Sequence, residues 1–186
     1  MKYFKKLVGN KVYLSPLNNE DVNIYTKWMN DLDITKGFGG IGESASLNNC
    51  EHWFENISRQ HHYAIVLDVS DEFIGVCGFN SIDHLRQVGE VSILIGDRKN
   101  RGQGYGTEAL NLLIGYGFEY LNLNNIMLTV YDFNADAIKL YEKCGFKVFG
   151  KRTKVMPLNG EYYDQIYMEM TDDDYFDRPK IKKLTK

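Results

Sequence analysis

Gly89-Glu90-Val91-Ser92-Ile93-Leu94-Ile95-Gly96-Asp97-Arg98-Lys99-Asn100-Arg101-Gly102-Gln103-Gly104-Tyr105-Gly106 is the stretch around which this chain of 186 residues is organised. Residues 91–95 are a short apolar, largely β-branched run of strand type, and residues 96–100 read as a turn. Beyond Thr107 and Glu108, the apolar residues Leu110, Leu113, Ile114, Phe118 and Leu121 recur at helical spacing. A strand, a glycine-rich turn and a helix start form a cradle for phosphate. Glycine lets the backbone come close to a ligand and take positive φ. The first helical turn points its free N–H groups outward, with partial positive charge behind them. A pyrophosphate fits there without a dedicated lysine. The plainer reading is a tight turn, but three alternating glycines at the mouth of a helix favour phosphate.

Two familiar phosphate loops are excluded. A Walker-type loop needs Gly-Lys-Ser/Thr after its last glycine, where this chain has Gly106-Thr107-Glu108. The dinucleotide pattern G-x-G-x-x-G is unmatched, because the order here is Gly102, Gly104, Gly106. The net charge of −3 argues against a general nucleic-acid binder, which is usually basic. Hydrophobic residues at 44% and charged residues at 25% suit a globular domain able to bury a core. Cys50, Cys77 and Cys144 lie in unrelated contexts, and no metal spacing links them to one another or to the four histidines. They read as reduced thiols of a cytoplasmic protein that binds no metal. No signal peptide or membrane-crossing apolar run is visible.

Read in order, residues 12–17 predict a strand, and Asn18 or Asn19 caps a helix with Val22, Ile24, Tyr25, Trp28 and Met29 on its buried side. Residues 31–42 read as a glycine-rich loop, and Ser46 caps a second helix through Ser58 that carries Cys50, Trp53, Phe54 and Ile57. Strands follow at 62–69 and 73–79, then a polar connection at 80–87. His61 and His62 face opposite sides of their strand, so one metal cannot hold both, and a surface role is expected for each. Residues 126–131 are a strand, 135–144 a helix stopped by Gly145, and 146–149 with 163–170 a last strand pair turning at Asn159-Gly160. One mixed α/β domain over residues 1–171 is expected, with 172–186 as a charged, mobile C-terminal tail.

Two motifs carry a resemblance. Arg101, Gly104 and Gly106 make Arg-x-x-Gly-x-Gly, and Asn134, Ala137, Tyr141, Gly145 and Phe146 make Asn-x-x-Ala-x-x-x-Tyr-x-x-x-Gly-Phe. In this order, over roughly residues 11–170, the chain resembles the GNAT N-acetyltransferases, which use acetyl-coenzyme A. Within that family it resembles the bacterial ribosomal-protein N-terminal acetyltransferases and the spermidine acetyltransferases. The acidic aromatic segment expected near the first helix of the spermidine enzymes has no match at residues 35–43.

The resemblance implies an α/β GNAT fold: a mixed central sheet with two splayed parallel strands, flanked by about four helices. It implies that the main chain of Ile93, Leu94 and Ile95 bonds the pantetheine amides. The main chain of Arg101, Gly102, Gln103, Gly104, Tyr105, Gly106 and Thr107 wraps the pyrophosphate, and Asn134 contacts the cosubstrate from the opposite side. Tyr141 matches the tyrosine near the sulfur. The acceptor is an amine, on a protein N-terminus or a small molecule, and a homodimer is common among such enzymes. An alkyl amine has a pKa near about 10 and must lose a proton to attack a thioester. Glu90 is assigned as the base that takes it, and Tyr141 as the acid that protonates the departing thiolate. A non-catalytic coenzyme A-binding module is the other class of function. For Glu90 the plainer alternative is a solvated strand-end carboxylate, and for Tyr141 a core aromatic.

Overall fold

A computed structural model describes residues 2–38, 44–57 and 61–177. In chain order these form β1 (Leu7–Val8), β2 (Val12–Pro16), α1 (Val22–Met29), α2 (Leu32–Thr35), α3 (Leu47–Ile57), β3 (His62–Leu67), β4 (Phe73–Asp83), β5 (Val88–Ile95), α4 (Tyr105–Glu119), β6 (Asn125–Tyr131), α5 (Ala135–Cys144), β7 (Lys147–Leu158), β8 (Glu161–Thr171) and α6 (Asp172–Phe176). The eight strands make one sheet in the order β1-β2-β3-β4-β5-β6-β8-β7. Every neighbouring pair is antiparallel except β5 with β6. Six helices are described where about four were expected, and two of the six are a single turn, too short for periodicity to reveal.

Both faces of the sheet are covered, which explains why β3 is apolar without alternation. Tyr63, Ile65 and Leu67 share a core with Leu110, Leu113 and Ile114 of α4, extended by Ile126, Leu128, Met168 and Met170. Ala64 and Val66 point the other way, into a second core with Tyr25, Trp28, Cys50 and Phe54 of α1 and α3. Each such large side chain, fully buried, contributes roughly 1.5–3 kcal/mol. Ser46 caps α3 as expected, its hydroxyl accepting from the Asn49 N–H at 3.1 Å.

Several expectations need correction. The two-residue β1 has no counterpart in the reading of the sequence. The segment from residue 31 begins as α2, with the Asp31 side chain accepting from the Asp33 N–H at 2.9 Å, and continues as a 3-10 turn at Lys36–Phe38; residues 39–42 of that expected loop lie outside the described residues. β4 runs four residues past Phe79, and its register against β5 shifts between Phe79 and Ser81, which leaves Asn80 as a bulge. The closing hairpin is far longer than expected, although Asn159 and Gly160 do form its turn, both at positive φ (52° and 82°). His62 is buried, at 6% exposure, because α3 lies over its face of the sheet. The first part of the expected tail is α6, closed by a capping box between Thr171 and Asp174. Tyr175 stacks on Phe118 at 5.0 Å and donates to the Glu119 carboxylate at 2.6 Å. Residues 178–186 lie outside the described residues. No helix among the described residues is long and apolar enough to cross a membrane.

One close approach ties the second core to the glycine loop. A Cβ on Gly96 would overlap the indole of Trp28, which is 2% exposed and donates from Nε1 to Asp97 at 3.2 Å. Gly96→Ala must displace a large, fully packed ring. The expected cost is about 3 kcal/mol, seen as a melting temperature lower by about 10 °C. An unchanged thermal melt would show that Trp28 yields freely.

Candidate active site

The site begins where the parallel pair of strands fails. β5 and β6 are in register only at Val88↔Asn125, Gly89↔Ile126 and Glu90↔Met127. Beyond Glu90, β5 stays with β4 as far as Ile95↔Gly75, while β6 follows β8 to Tyr131↔Gln165. The facing edges past the fork therefore have no strand partner, and main-chain donors and acceptors stand open in a gap. The gap widens into a cavity of about 660 Å³, lined by residues 90–95 of β5, Thr129, Val130 and Tyr131 of β6, the glycine loop and α5.

At one end lies the cradle. Gly102 and Gly104 sit at φ 72° and 85°, a conformation that side chains other than glycine resist. Gly104 is the N-cap of α4, and no side chain caps that end. The first-turn N–H groups of Tyr105, Gly106 and Thr107 are thus left to an external partner, as an anion site requires. The loop is fastened from outside. Lys11 donates from Nζ to the Gln103 carbonyl at 3.1 Å, and the Glu108 carboxylate accepts the N–H groups of Asn10 and Lys11. Arg101 is fastened too, its guanidinium donating to the carbonyls of Ile95 (3.1 Å) and Gly96 (2.9 Å). Its charge closes the end of β5 onto the loop instead of standing free for phosphate.

That arrangement makes a prediction. Arg101→Ala loses a forked, charge-assisted contact that is partly exposed, so the acetyl-coenzyme A KM should rise about fivefold with kcat nearly unchanged. Arg101→Lys, which cannot fork, should restore only part. Unchanged KM in both variants would mean that the loop holds its shape without the side chain.

Asn134 lies across the gap as the N-cap of α5. Its Oδ1 accepts from the Ala137 N–H at 3.3 Å, which leaves the Nδ2 hydrogens for the cavity. Gly145 ends the same helix at φ 92°. Tyr141, 7% exposed, lines the cavity with its phenol pushed up to about 12, by burial first and by Cys144 nearby. Half-buried Glu90 sits at the fork itself. The cavity thus gathers Glu90, Ile93, Leu94, Ile95, Arg101, Gly102, Gly104, Gly106, Thr107, Asn134 and Tyr141. Gln103 and Tyr105 are not in its lining: the first turns its carbonyl to Lys11, and the ring of the second packs against the α4 core.

Other cavity residues gave no signal in sequence. Ser92 donates to the Asn80 Oδ1 at 2.7 Å, and Asn80 is hydrogen-bonded to His62. Burial lowers the His62 pKa, and its Nδ1 is buried with no partner among the described residues. The β4 bulge is what turns Asn80 into the cavity, and a bulge cannot be read from Phe79-Asn80-Ser81 alone. Ile34 and Gly37 reach the same cavity from the segment after α1, and Gln165, Lys139 and Lys143 complete its rim. No group of three or more His, Cys, Asp or Glu able to hold a metal occurs among the described residues.

Comparison with known proteins points the same way. Residues 11–147 match the family described as Acetyltransferase (GNAT) domain. An N-acetyltransferase called p20 from Bacillus licheniformis is 28% identical over 87% of this chain and 93% of its own. Spermidine N(1)-acetyltransferase of Escherichia coli is 28% identical over 86% of each chain. Among solved structures, spermidine N-acetyltransferase from Vibrio cholerae in complex with CoA and spermine superposes with a TM-score of 0.81 at 23% identity, covering 91% of this chain and all of the other. A GNAT-family acetyltransferase from Bacillus anthracis gives 0.79 at 17% identity over 90% of this chain and 98% of its own, so these two likenesses speak for the fold. The family match spans most of the sequence and contains both the forked strands and the cradle: the chain belongs to the GNAT acetyltransferases.

Proposed function

We propose that this acetyltransferase moves the acetyl group of acetyl-coenzyme A to the primary amine of a small molecule, polyamines being the first class to test, by direct attack in a ternary complex. The observation that carries the reading is the fork. It puts a carboxylate, Glu90, and a phenol, Tyr141, on the same cavity as unpaired strand edges and an uncapped helix start. The small-amine acceptor is supported by relatives named for spermidine. A chain of net charge −3 also suits a cationic acceptor. Cys50, Cys77 and Cys144, all buried and none in a disulfide among the described residues, fit a reducing cytoplasm. Exposed Val148 and Phe149 on edge strand β7 fit a homodimer or larger homo-oligomer.

Acetyl-coenzyme A supplies the acetyl group already activated as a thioester. The open main chain of Ile93, Leu94 and Ile95 holds the pantetheine amides, and the Nδ2 of Asn134 donates from the far wall. The main chain from Arg101 to Thr107 receives the pyrophosphate. Glu90 takes a proton from the acceptor ammonium, directly or through one water, which leaves the nitrogen lone pair free to attack. A β5 N–H stabilises the negative oxygen that develops on the acyl carbon. The C–S bond then breaks, Tyr141 donates its phenolic hydrogen to the leaving sulfur, and the second proton that the nitrogen sheds as the amide forms returns to the phenolate, directly or through water.

Initial rates with both substrates varied test this reading. Intersecting double-reciprocal lines and a higher kcat/KM for spermidine-type amines than for peptides with a free N-terminus are expected. Parallel lines would replace direct attack by a covalent acetyl-enzyme. A clear preference for peptides would move the acceptor to protein N-termini.

A further inference from the structure

The cradle offers main-chain N–H groups, and the cations nearest it each donate to a main-chain carbonyl or pair with a carboxylate among the described residues. Lys11 is committed to the Gln103 carbonyl and Arg101 to two others. Arg98 pairs with Asp33 at 2.6 Å and Lys99 with Glu72 at 2.8 Å. Two lysines of the cavity wall differ. Lys139 and Lys143 lie four residues apart on α5, so they share one helix face, and both line the cavity. No hydrogen bond or ion pair of either is found among the described residues.

Their place is fixed relative to the cradle. Leu140 lies so close to Gly106 that a Cβ there would stand 3.1 Å from its Cδ1, and the Cys144 thiol contacts the Thr107 carbonyl at 3.9 Å. The C-terminal half of α5 therefore rests beside the start of α4, with the two lysines at the rim of that contact. Asp136, three residues before Lys139, is the other charged residue of α5 in the lining. Coenzyme A carries, besides its pyrophosphate, a 3′-phosphomonoester that is close to dianionic at neutral pH, since its second pKa is about 6. A net-negative protein holding such an anion needs local positive charge, and a lysine is a compact point charge suited to phosphate. Stabilising the α5 dipole would explain a single lysine in the last turn, but not two lining a cavity.

We propose that Lys139 and Lys143 form the subsite for the 3′-phosphomonoester of coenzyme A, an inference that rests on the acetyl-coenzyme A reading above. The subsite makes the enzyme selective for coenzyme A over its 3′-dephospho form, while the cradle, the open edge of β5 and Asn134 hold what the two ligands share.

Titration calorimetry of coenzyme A and 3′-dephospho-coenzyme A into the wild-type protein and Lys139→Ala/Lys143→Ala tests it. At low salt the wild type should bind coenzyme A about fivefold to tenfold more tightly, a preference that shrinks as salt is added. The double variant should lose that factor for coenzyme A and keep wild-type affinity for the dephospho form. Equal affinities in the wild type, which need no variant to measure, would overturn the subsite. So would an equal loss of both ligands in the variant. If the wild type binds neither ligand, the coenzyme A reading itself fails and the subsite with it.

Discussion

Glu90→Gln is expected to lower kcat by about a hundredfold while leaving the affinity for acetyl-coenzyme A within about twofold. Glutamine keeps the size of the side chain, and the Glu90 backbone stays paired with Met127 at the last rung before the strands part. What is lost is the ability to take a proton. Below the acceptor's pKa of about 10, the fraction of free amine rises tenfold with each pH unit, so the variant should recover relative to wild type as pH increases. Rate profiles of both proteins over the same pH range check this. A variant with wild-type kcat at neutral pH would make Glu90 a solvated strand-end carboxylate and move the base elsewhere, with His62 behind Asn80 the next candidate.

Tyr141→Phe should cost about a hundredfold in kcat with little change in acetyl-coenzyme A binding or melting temperature. The ring still packs against Phe146, 6.1 Å away, and the phenol makes no hydrogen bond among the described residues that the change would remove. Burial, the larger cause, raises the phenol pKa to about 12. The proton-bearing form is the active one, so a raised pKa extends it towards alkaline pH. No alkaline loss of kcat attributable to Tyr141 should appear below about pH 10, a result a rate profile gives directly. An ordinary thiol, with a pKa of about 8.5, is a stronger acid than this phenol, so Tyr141 acts first as a hydrogen-bond donor to the departing sulfur. Transfer completes as the sulfur gains basicity in the same dry cavity. Unchanged turnover in the phenylalanine variant would return Tyr141 to the role of a packed core aromatic.

The parts of this protein that were legible in sequence are those where one residue type meets one backbone need. Gly102, Gly104 and Gly145 stand at positive φ, and Asn134 caps α5, so the cradle and the second motif could be read from local chemistry. What stayed hidden depends on distant partners. The two-fold alternation correctly put His61 and His62 on opposite faces: His61 meets the Tyr116 hydroxyl at 3.3 Å, and His62 lies beneath Trp53. Only the arrival of α3 decides that His62 is buried. Much of β7 is exposed on both faces, so Lys151, Arg152 and Lys154 carry no alternation that marks a strand. Asn80 enters the cavity through a shift in register, and Lys139 and Lys143 look like any solvated helix face until α4 is placed beside them.

Free thiol released from acetyl-coenzyme A, counted together with N-acetylated product by mass spectrometry, tests the central claim most directly. The panel should hold polyamines, amino sugars, aminoglycosides and peptides with a free N-terminus. The expected result is one thiol released for each amine acetylated, with selectivity for one class of acceptor. Acetyl-coenzyme A that binds with micromolar affinity, roughly −8 kcal/mol, yet stays intact beside every amine would contradict it and leave a coenzyme A-binding protein without turnover.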